Sequence, residues 1–322
     1  MRAVRLSLNQ PMKQFFVRLA LTLPVVWLVV SLVFLLIHLV PGDPIQMMLG
    51  EGATPADIQG LRHQYGLDQP LGRQYLHYWN GVFHGDLGTS IRLHDSVAHL
   101  IAVRYPYTLA LTLTSLALAL ALALPAGIIA AVRRGRLVDQ GLSVVSLFGL
   151  SVPGLVLGPL LILVFSIMLG WFPVSGASPG GGTGGIDPIY LVLPSIAMGA
   201  SLAAILTRMV RTAMLEELGQ DYIRTARAKG LSETAVVWRH ALPNALVPII
   251  TVVGLQFGAL LAGAIVTETI FSWPGLGRLV VTAISNRDYA LVQGCLLSIG
   301  LTYVLVNLLT DLTYRLVNPR MR

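Results

Sequence analysis

The chain has 322 residues, of which 55% are hydrophobic and only 11% charged, and its mean hydropathy is +0.73. Soluble domains carry roughly 25% charged residues, so this composition excludes an ordinary soluble protein and makes membrane lipid the solvent of much of its surface. The formal net charge of +7 does not indicate nucleic acid, because only Lys13 and Lys229 are lysines and no dense basic cluster interleaves with aromatics. Cys295 is the single cysteine, which excludes an intramolecular disulfide and a zinc site built on several cysteines.

A bilayer core about 30 Å thick is crossed by about 20 apolar residues in a helix. Arg2, Arg5, Lys13 and Arg18 precede an uncharged run from Leu19 through Val40. That run is longer than the 7–15 residues of a signal-peptide core and no small-residue cleavage site follows it, so it reads as a retained anchor. Five further stretches qualify as spans, at roughly 106–132, 142–170, 189–207, 247–267 and 290–310. None alternates with period two, which argues against a barrel, and backbone groups in lipid must be satisfied within helices. The expected fold is therefore all-α and polytopic, with about six transmembrane helices.

Basic residues set the orientation. With both termini cytoplasmic, 16 of the 22 lysines and arginines fall inside, and Arg62, Arg73, Arg92, Arg104, Arg278 and Arg287 fall outside. Cytoplasmic loops of membrane proteins carry this excess. The chain divides accordingly into a tail and first span (1–40), an outer segment (41–105) and a five-helix core (106–322) with a cytoplasmic loop at 208–246.

The outer segment opens with Pro41-Gly42-Asp43-Pro44, which stops the first span. It continues through an amphipathic stretch around Ile58–Tyr65 to Tyr75, Tyr78, Trp79 and Phe83. Such a segment lies along the membrane face or packs as a small outer subdomain; the sequence leaves both open.

The inner loop is more informative. Asp221 is placed to cap a short helix over about 222–229, and Lys229 suits the negative end of its dipole. Gly230 supplies the left-handed residue that ends it. Ser232 then reads as a second N-cap with Glu233 in the first turn, and Leu231 and Val236 are spaced for a hydrophobic staple. The second helix is expected to run to about His240 and stop before Pro243. A helix, a glycine break and another helix make a rigid knuckle, which is either a docking element or an ordinary connection. Prolines at 24, 125, 153, 159 and 194 fall inside or at the edges of spans, where neighbours satisfy the freed carbonyls.

Catalytic chemistry is poorly represented. Lys13 and Lys229 are followed by Gln14 and Gly230, so there is no phosphate-binding Gly-Lys-Ser/Thr and the chain does not hydrolyse ATP itself. Gly180, Gly182 and Gly185 spell G-x-G-x-x-G in an outer loop, without the flanking strand and helix that give the pattern meaning. His63, His77, His84, His94 and His99 lie in the outer segment; His94 and His99 have weak metal-ligand spacing without a supporting carboxylate motif. Only His38 lies within a span, which disfavours an intramembrane serine protease. An ion-coupled transporter usually places ionisable groups near the midplane, whereas Glu268 and Asp311 stand at span ends, where they reach water or a neighbour. No catalytic residue, cofactor or metal is assigned, and the energy source is expected to be another protein.

Asp221-Tyr222-Ile223-Arg224-Thr225-Ala226-Arg227-Ala228-Lys229-Gly230, followed by Ala241-Leu242-Pro243-Asn244-Ala245, resembles the EAA loop of ABC-importer permeases. That loop has an E-A-A-x-x-x-G core and a later I-x-L-P, and forms the coupling helix seated in a cleft of the ATPase. Alignment on Gly230 places Arg224, Thr225 and Ala226 at the three letters and His240 at the isoleucine, so two of the three letters differ. The R-T-A-R-A-K-G form is similar to the peptide and nickel branch. So are Pro41-Gly42-Asp43-Pro44, Tyr65-Gly66-Leu67-Asp68-Gln69-Pro70, Gly85-Asp86-Leu87-Gly88, the run Glu268 to Arg278, Arg287-Asp288-Tyr289 and Asn318-Pro319-Arg320, which resemble its B-type subunit.

The resemblance implies the type I importer permease fold in a bacterial inner membrane. It also implies a homologous C-type permease, two cytoplasmic ATPase subunits and an outer substrate-binding protein delivering di- or oligopeptides; nickel and glutathione importers share the architecture. The ATPase-coupling residues it implies are Asp221, Tyr222, Arg224, Thr225, Ala226, Arg227, Lys229 and Gly230. In this reading ATP moves the knuckle at about 221–235 as a lever, and the kinked spans rock between outward and inward access. An ion-coupled secondary transporter is the alternative from another class.

Overall fold

A computed structural model describes residues 2–39, 45, 54–64, 66–90, 92–180 and 183–317. The Pro41–Pro44 turn, Tyr65 and the terminal Asn318-Pro319-Arg320 lie outside the described residues. Elements follow in chain order: α1 (Arg2–Leu39), α2 (Pro55–Gln64), α3 (Leu71–His84), α4 (Val97–Val132), α5 (Leu137–Ser151) and α6 (Gly154–Leu161), which continues as a π-turn segment, Ile162–Met168. Then come α7 (Pro188–Leu218), α8 (Asp221–Ala228), the one-turn α9 (Glu233–Ala235) with a π segment Val236–Ala241, α10 (Leu242–Ile270), α11 (Leu276–Ser285) and α12 (Tyr289–Val317). Among the described residues the only β pairing is an isolated bridge between Thr89 and Ser96.

Among the described residues, four helices are long and apolar enough to cross a membrane: α4, α7, the run Glu233–Ile270 and α12. The apolar part of α1, Ala20–Leu36, is shorter. The expected single span at 142–170 is instead broken into α5 and α6, which meet at 98°. Pro153 is the cause. It cannot donate to the preceding turn and drives its neighbour out of the helical region; Val152 sits at φ −90°, ψ 112°.

The core forms where α4 lies along α7. Leu111, Ala119 and Ala123 meet Leu191, Leu202 and Leu206, with Leu260 and Ala264 of α10 closing the cluster. Small residues permit this approach, as between helices in lipid, where there is no hydrophobic drive and packing decides. A Cβ on Gly127 would stand 2.6 Å from Val210 Cβ, and one on Gly199 would stand 2.9 Å from the Ser115 carbonyl oxygen. On the cytoplasmic side Arg211 of α7 forms a two-pronged ion pair with Asp139 of α5, at 2.6 and 2.9 Å. Asp139 also accepts from Gly135 N at 2.9 Å, so the α4–α5 turn and the end of α7 are tied on one side.

Outside, α3 packs against α1. Phe34 stacks edge-on to Tyr75 with centroids 5.2 Å apart, and Ser31 Oγ lies 2.7 Å from the Tyr75 hydroxyl. Val82 and Trp79 of α3 join Val30 and Val33 of α1 and Leu297 of α12 in one apolar cluster. The outer segment is also pinned to the last span: Asp288 accepts from Ser90 Oγ and from Leu291 N, so one buried carboxylate caps α12 and holds the loop after α3.

Candidate functional site

The knuckle between α7 and α10 is built almost entirely by local chemistry. Helix α8 begins at Asp221, one residue earlier than expected; Gln220 occupies the N-cap without a side-chain bond, and Asp221 lies in the first turn. A carboxylate there still favours the positive end of the helix dipole, and it accepts from Arg224 Nη1 at 3.3 Å. The C-terminus closes as a Schellman turn. Gly230 N donates to the Arg227 carbonyl at 2.9 Å, Leu231 N to that of Ala226 at 3.4 Å, and Gly230 takes φ +79°. Ser232 then caps α9, its Oγ accepting from Ala235 N at 3.3 Å. Val236 is fully buried but Leu231 stays 42% exposed, so the expected staple leaves Leu231 largely in solvent.

Pro243 does not end the second helix, as local rules predict. Val236–Ala241 widens into π geometry, Leu242 N reaches the Val237 carbonyl five residues back, and the chain runs on into α10. A wide turn accommodates the proline's missing N–H and the bulk of its ring, which would disrupt a regular α turn. The knuckle is thereby continuous with a transmembrane span.

Two surfaces result. Ile223 and Ala226 are buried against Val210, Ala213, Met214, Val236 and Val237, fixing α8 to the underside of α7. Asp221, Tyr222, Arg224, Thr225, Arg227, Lys229 and Gly230 are exposed. Ala226 thus faces the fold, and the remaining residues share the outer surface. Arg227 bridges the glycine break with two bonds to Glu233, at 2.7 and 3.2 Å. An exposed pair of this kind contributes about 0.2–1 kcal/mol, enough to bias an angle already set by Gly230.

The Tyr222 hydroxyl is a junction that spacing did not reveal. It donates to Glu217 Oε2 at the end of α7 and accepts from Asn244 Nδ2, at 2.9 Å, at the start of α10. One side chain of α8 therefore holds the cytoplasmic ends of two spans.

The run from Glu268 to Arg278 makes the corresponding junction on the outer side. Glu268 is fully buried, so of the two surroundings expected for it, water and a neighbour, it meets only the neighbour. Its carboxyl accepts from Thr108 Oγ1 at 2.6 Å and Arg278 N at 2.9 Å, while Thr108 Oγ1 accepts from Leu276 N at 2.7 Å. Together they satisfy the first N–H groups of α11, which have no partner within the helix. The two glycines make room: a Cβ on Gly275 would fall 2.2 Å from Glu268 Oε1, and one on Gly277 would fall 2.5 Å from the Ile265 backbone. Trp273, fully buried, donates from Nε1 to the Tyr107 carbonyl at 2.9 Å.

Two of the outer histidines pair with carboxylates. His99 Nδ1 lies 2.8 Å from Asp95, and His63 Nδ1 lies 2.8 Å from Asp68, whose hydrogen bond raises the His63 pKa.

Comparison with known proteins places this geometry. The chain is 45% identical over 326 residues to the di/tripeptide transport system permease protein DppB of Pseudomonas aeruginosa (strain UCBPP-PA14), covering 95% of this chain and 97% of that one. It is 44% identical over 305 residues to the glutathione transport system permease protein GsiC of Escherichia coli (strain K12), with the same coverage. Among solved structures, the methionine ABC transporter MetNI in an inward-facing conformation superposes with a TM-score of 0.54 over 68% of this chain and 96% of that one, at 20% identity, a likeness of fold alone. The family described as the N-terminal membrane component of binding-protein-dependent transport systems matches residues 12–112. Residues 123–322 match the main family, and the chain belongs to the binding-protein-dependent transport system inner membrane components.

Proposed function

We propose that this chain is the permease subunit that forms half of the translocation pathway of an ATP-driven importer of short peptides. The observation that carries the reading is the 45% identity to a di/tripeptide permease along 95% of the chain. The 44% identity to a glutathione permease supports glutathione, a γ-linked tripeptide of similar size, as a second, neighbouring substrate. Ion coupling through Glu268 is disfavoured, because that carboxyl is occupied in capping α11.

In this reading the exposed face of α8 docks on a cytoplasmic ATPase, one on each of two permeases, and a homologous second permease completes the pathway. An outer binding protein delivers peptide to the side bearing the 41–105 segment, and the core of 106–322 carries the passage. Arg224, Arg227 and Lys229 supply charge for the ATPase cleft, Asp221, Thr225 and Gly230 fix their presentation, and Ala226 anchors the helix from behind. Closure of the ATPases pushes α8, and the Tyr222 junction passes the motion to α7 and α10. A lever drives a transition only through contacts that differ between its two end states.

Gly230→Val tests the lever. No atom beyond the chain neighbours lies within 4 Å of the site of an added Cβ, so the penalty comes chiefly from the φ of +79°, about 1–2 kcal/mol or more for a β-branched residue. Peptide import by the variant is expected to fall at least tenfold while the chain still reaches the membrane. Import at the wild-type rate would refute the lever. The function itself is tested by reconstituting the complete transporter in vesicles and measuring uptake of labelled trialanine with and without ATP. Uptake that requires ATP and the binding protein is expected; uptake driven by an ion gradient alone would overturn the proposal.

A further inference from the structure

A cavity of about 380 Å³ opens between α7 and α10, bounded at one end by Gly154 and Leu155 of α6. Its walls are the faces of α7 around Ser201 and of α10 around Gln256, with Met198, Ala259 and Val266 among the lining residues. No charged residue is among them. That volume lies near the lower end of small-ligand sites, which span roughly 300–1,000 Å³.

Depth and polarity are what distinguish this cavity. Gln256 is the central residue of α10, and Ser201 lies near the middle of α7 on the opposite wall. Neither side chain has a hydrogen-bond partner among the described residues. An amide without a partner costs about 4–8 kcal/mol in a hydrocarbon such as cyclohexane, so this face does not meet lipid tails. Polar groups at this depth face the bundle interior or a water-filled cavity. The contrast with the lipid face is one of degree. Helices α5 and α6 and the π segment after α6 present Val145, Phe148, Ile167 and Met168, each more than 60% exposed. The exposed positions beside Gln256 on α10 are mostly smaller or polar, Thr251, Ala259 and Ala262, with Leu255 and Val266 the apolar exceptions.

We infer that this cavity is a transit site for the peptide, in which the Gln256 amide and the Ser201 hydroxyl bond to the C=O and N–H groups of the substrate backbone and leave its charged side chains unmatched. This assignment rests on the peptide-import reading above. A carboxamide both donates and accepts, as a peptide bond does, and an uncharged lining does not discriminate between acidic and basic peptides. The same two helices are the ones joined by Tyr222, so movement at the knuckle widens or narrows the cavity.

The test uses the complete reconstituted transporter. Trialanine import by Gln256→Leu is expected to drop about tenfold, equivalent to one hydrogen bond of roughly 1.4 kcal/mol. Gln256→Glu is expected to convert an indifferent passage into a selective one, slowing a tripeptide with a central glutamate at least tenfold relative to one with a central lysine. Wild-type discrimination between these two peptides must be small by comparison. Folding is checked separately with Gln256→Cys and a membrane-impermeant maleimide, for which the native Cys295 is a buried, quiet background. Labelling that is slowed by trialanine during turnover is the expected result. An unlabelled cysteine in an assembled complex, or unchanged selectivity in Gln256→Glu, overturns the transit site while wild-type ATP-dependent import leaves the importer reading intact. Loss of wild-type import would instead strike the importer reading itself.

Discussion

Glu268→Ala is expected to lower the stability of the chain by about 2–6 kcal/mol, since the Thr108 hydroxyl and the Arg278 N–H lose their acceptor and each buried unsatisfied group costs about 1–3 kcal/mol. The residue is fully buried, so water does not readily replace the carboxyl. Loss of the α11 cap also loosens the Trp273 turn, whose indole is held only two residues before Gly275. Glu268→Gln keeps one acceptor but presents an NH₂ in place of the second, and a smaller loss is expected. The measurement is the temperature at which detergent-solubilised protein ceases to elute as one species. Retention of wild-type stability by Glu268→Ala would show that the outer junction is not a structural tie.

Tyr222→Phe separates transport from ATP hydrolysis. The substitution removes the hydroxyl that joins Glu217 to Asn244 and leaves the aromatic ring in place. Two hydrogen bonds of about 0.5–1.5 kcal/mol each are lost, a sum that falls within the 1–3 kcal/mol typical of coupling between distant sites. Peptide imported per ATP hydrolysed is expected to fall roughly tenfold, with hydrolysis itself changed little because the docking face of α8 is preserved. Asn244→Ala is expected to have a smaller effect in the same direction. Combined with Tyr222→Phe it should add little, since residues of one network are not additive. If import and hydrolysis decline in the same proportion, Tyr222 has a general structural role and the junction transmits nothing specific.

The features legible in the sequence were those set by neighbours within a few residues. Gly230 and Ser232 announce a left-handed stop and a cap, and the Schellman turn and the Ser232 bond form as those residue types require. Hydropathy likewise locates the spans, because lipid constrains every residue of a helix at once. The expected single span at 142–170 was broken because a hydropathy average does not register the steric effect of Pro153. Pro243 went the other way: tertiary packing of Val236 and Val237 supports a widened turn that a local rule does not anticipate.

The junctions were illegible for a different reason. Thr108 and Glu268 are 160 residues apart, and Ser90 and Asp288 are 198 apart, so only the fold brings them together. A partial signal existed in Gly275 and Gly277 beside Trp273, a glycine pair close to a carboxylate in an apolar region. Read physically, it predicts close backbone approach. The family resemblance implies a coupling role for Tyr222, but not that its hydroxyl turns toward α7 and α10. The cavity lined by Gln256 and Ser201 is illegible in the sequence, because only the fold sets the two helices side by side.

The most direct test of the central claim is extraction of the tagged chain from its native membrane in mild detergent, with identification of every protein that remains bound. The importer reading predicts a second permease with its own coupling loop and ATPase subunits bearing a phosphate-binding loop, recovered together with the chain. Recovery of the chain alone, repeated under gentler extraction, would contradict it.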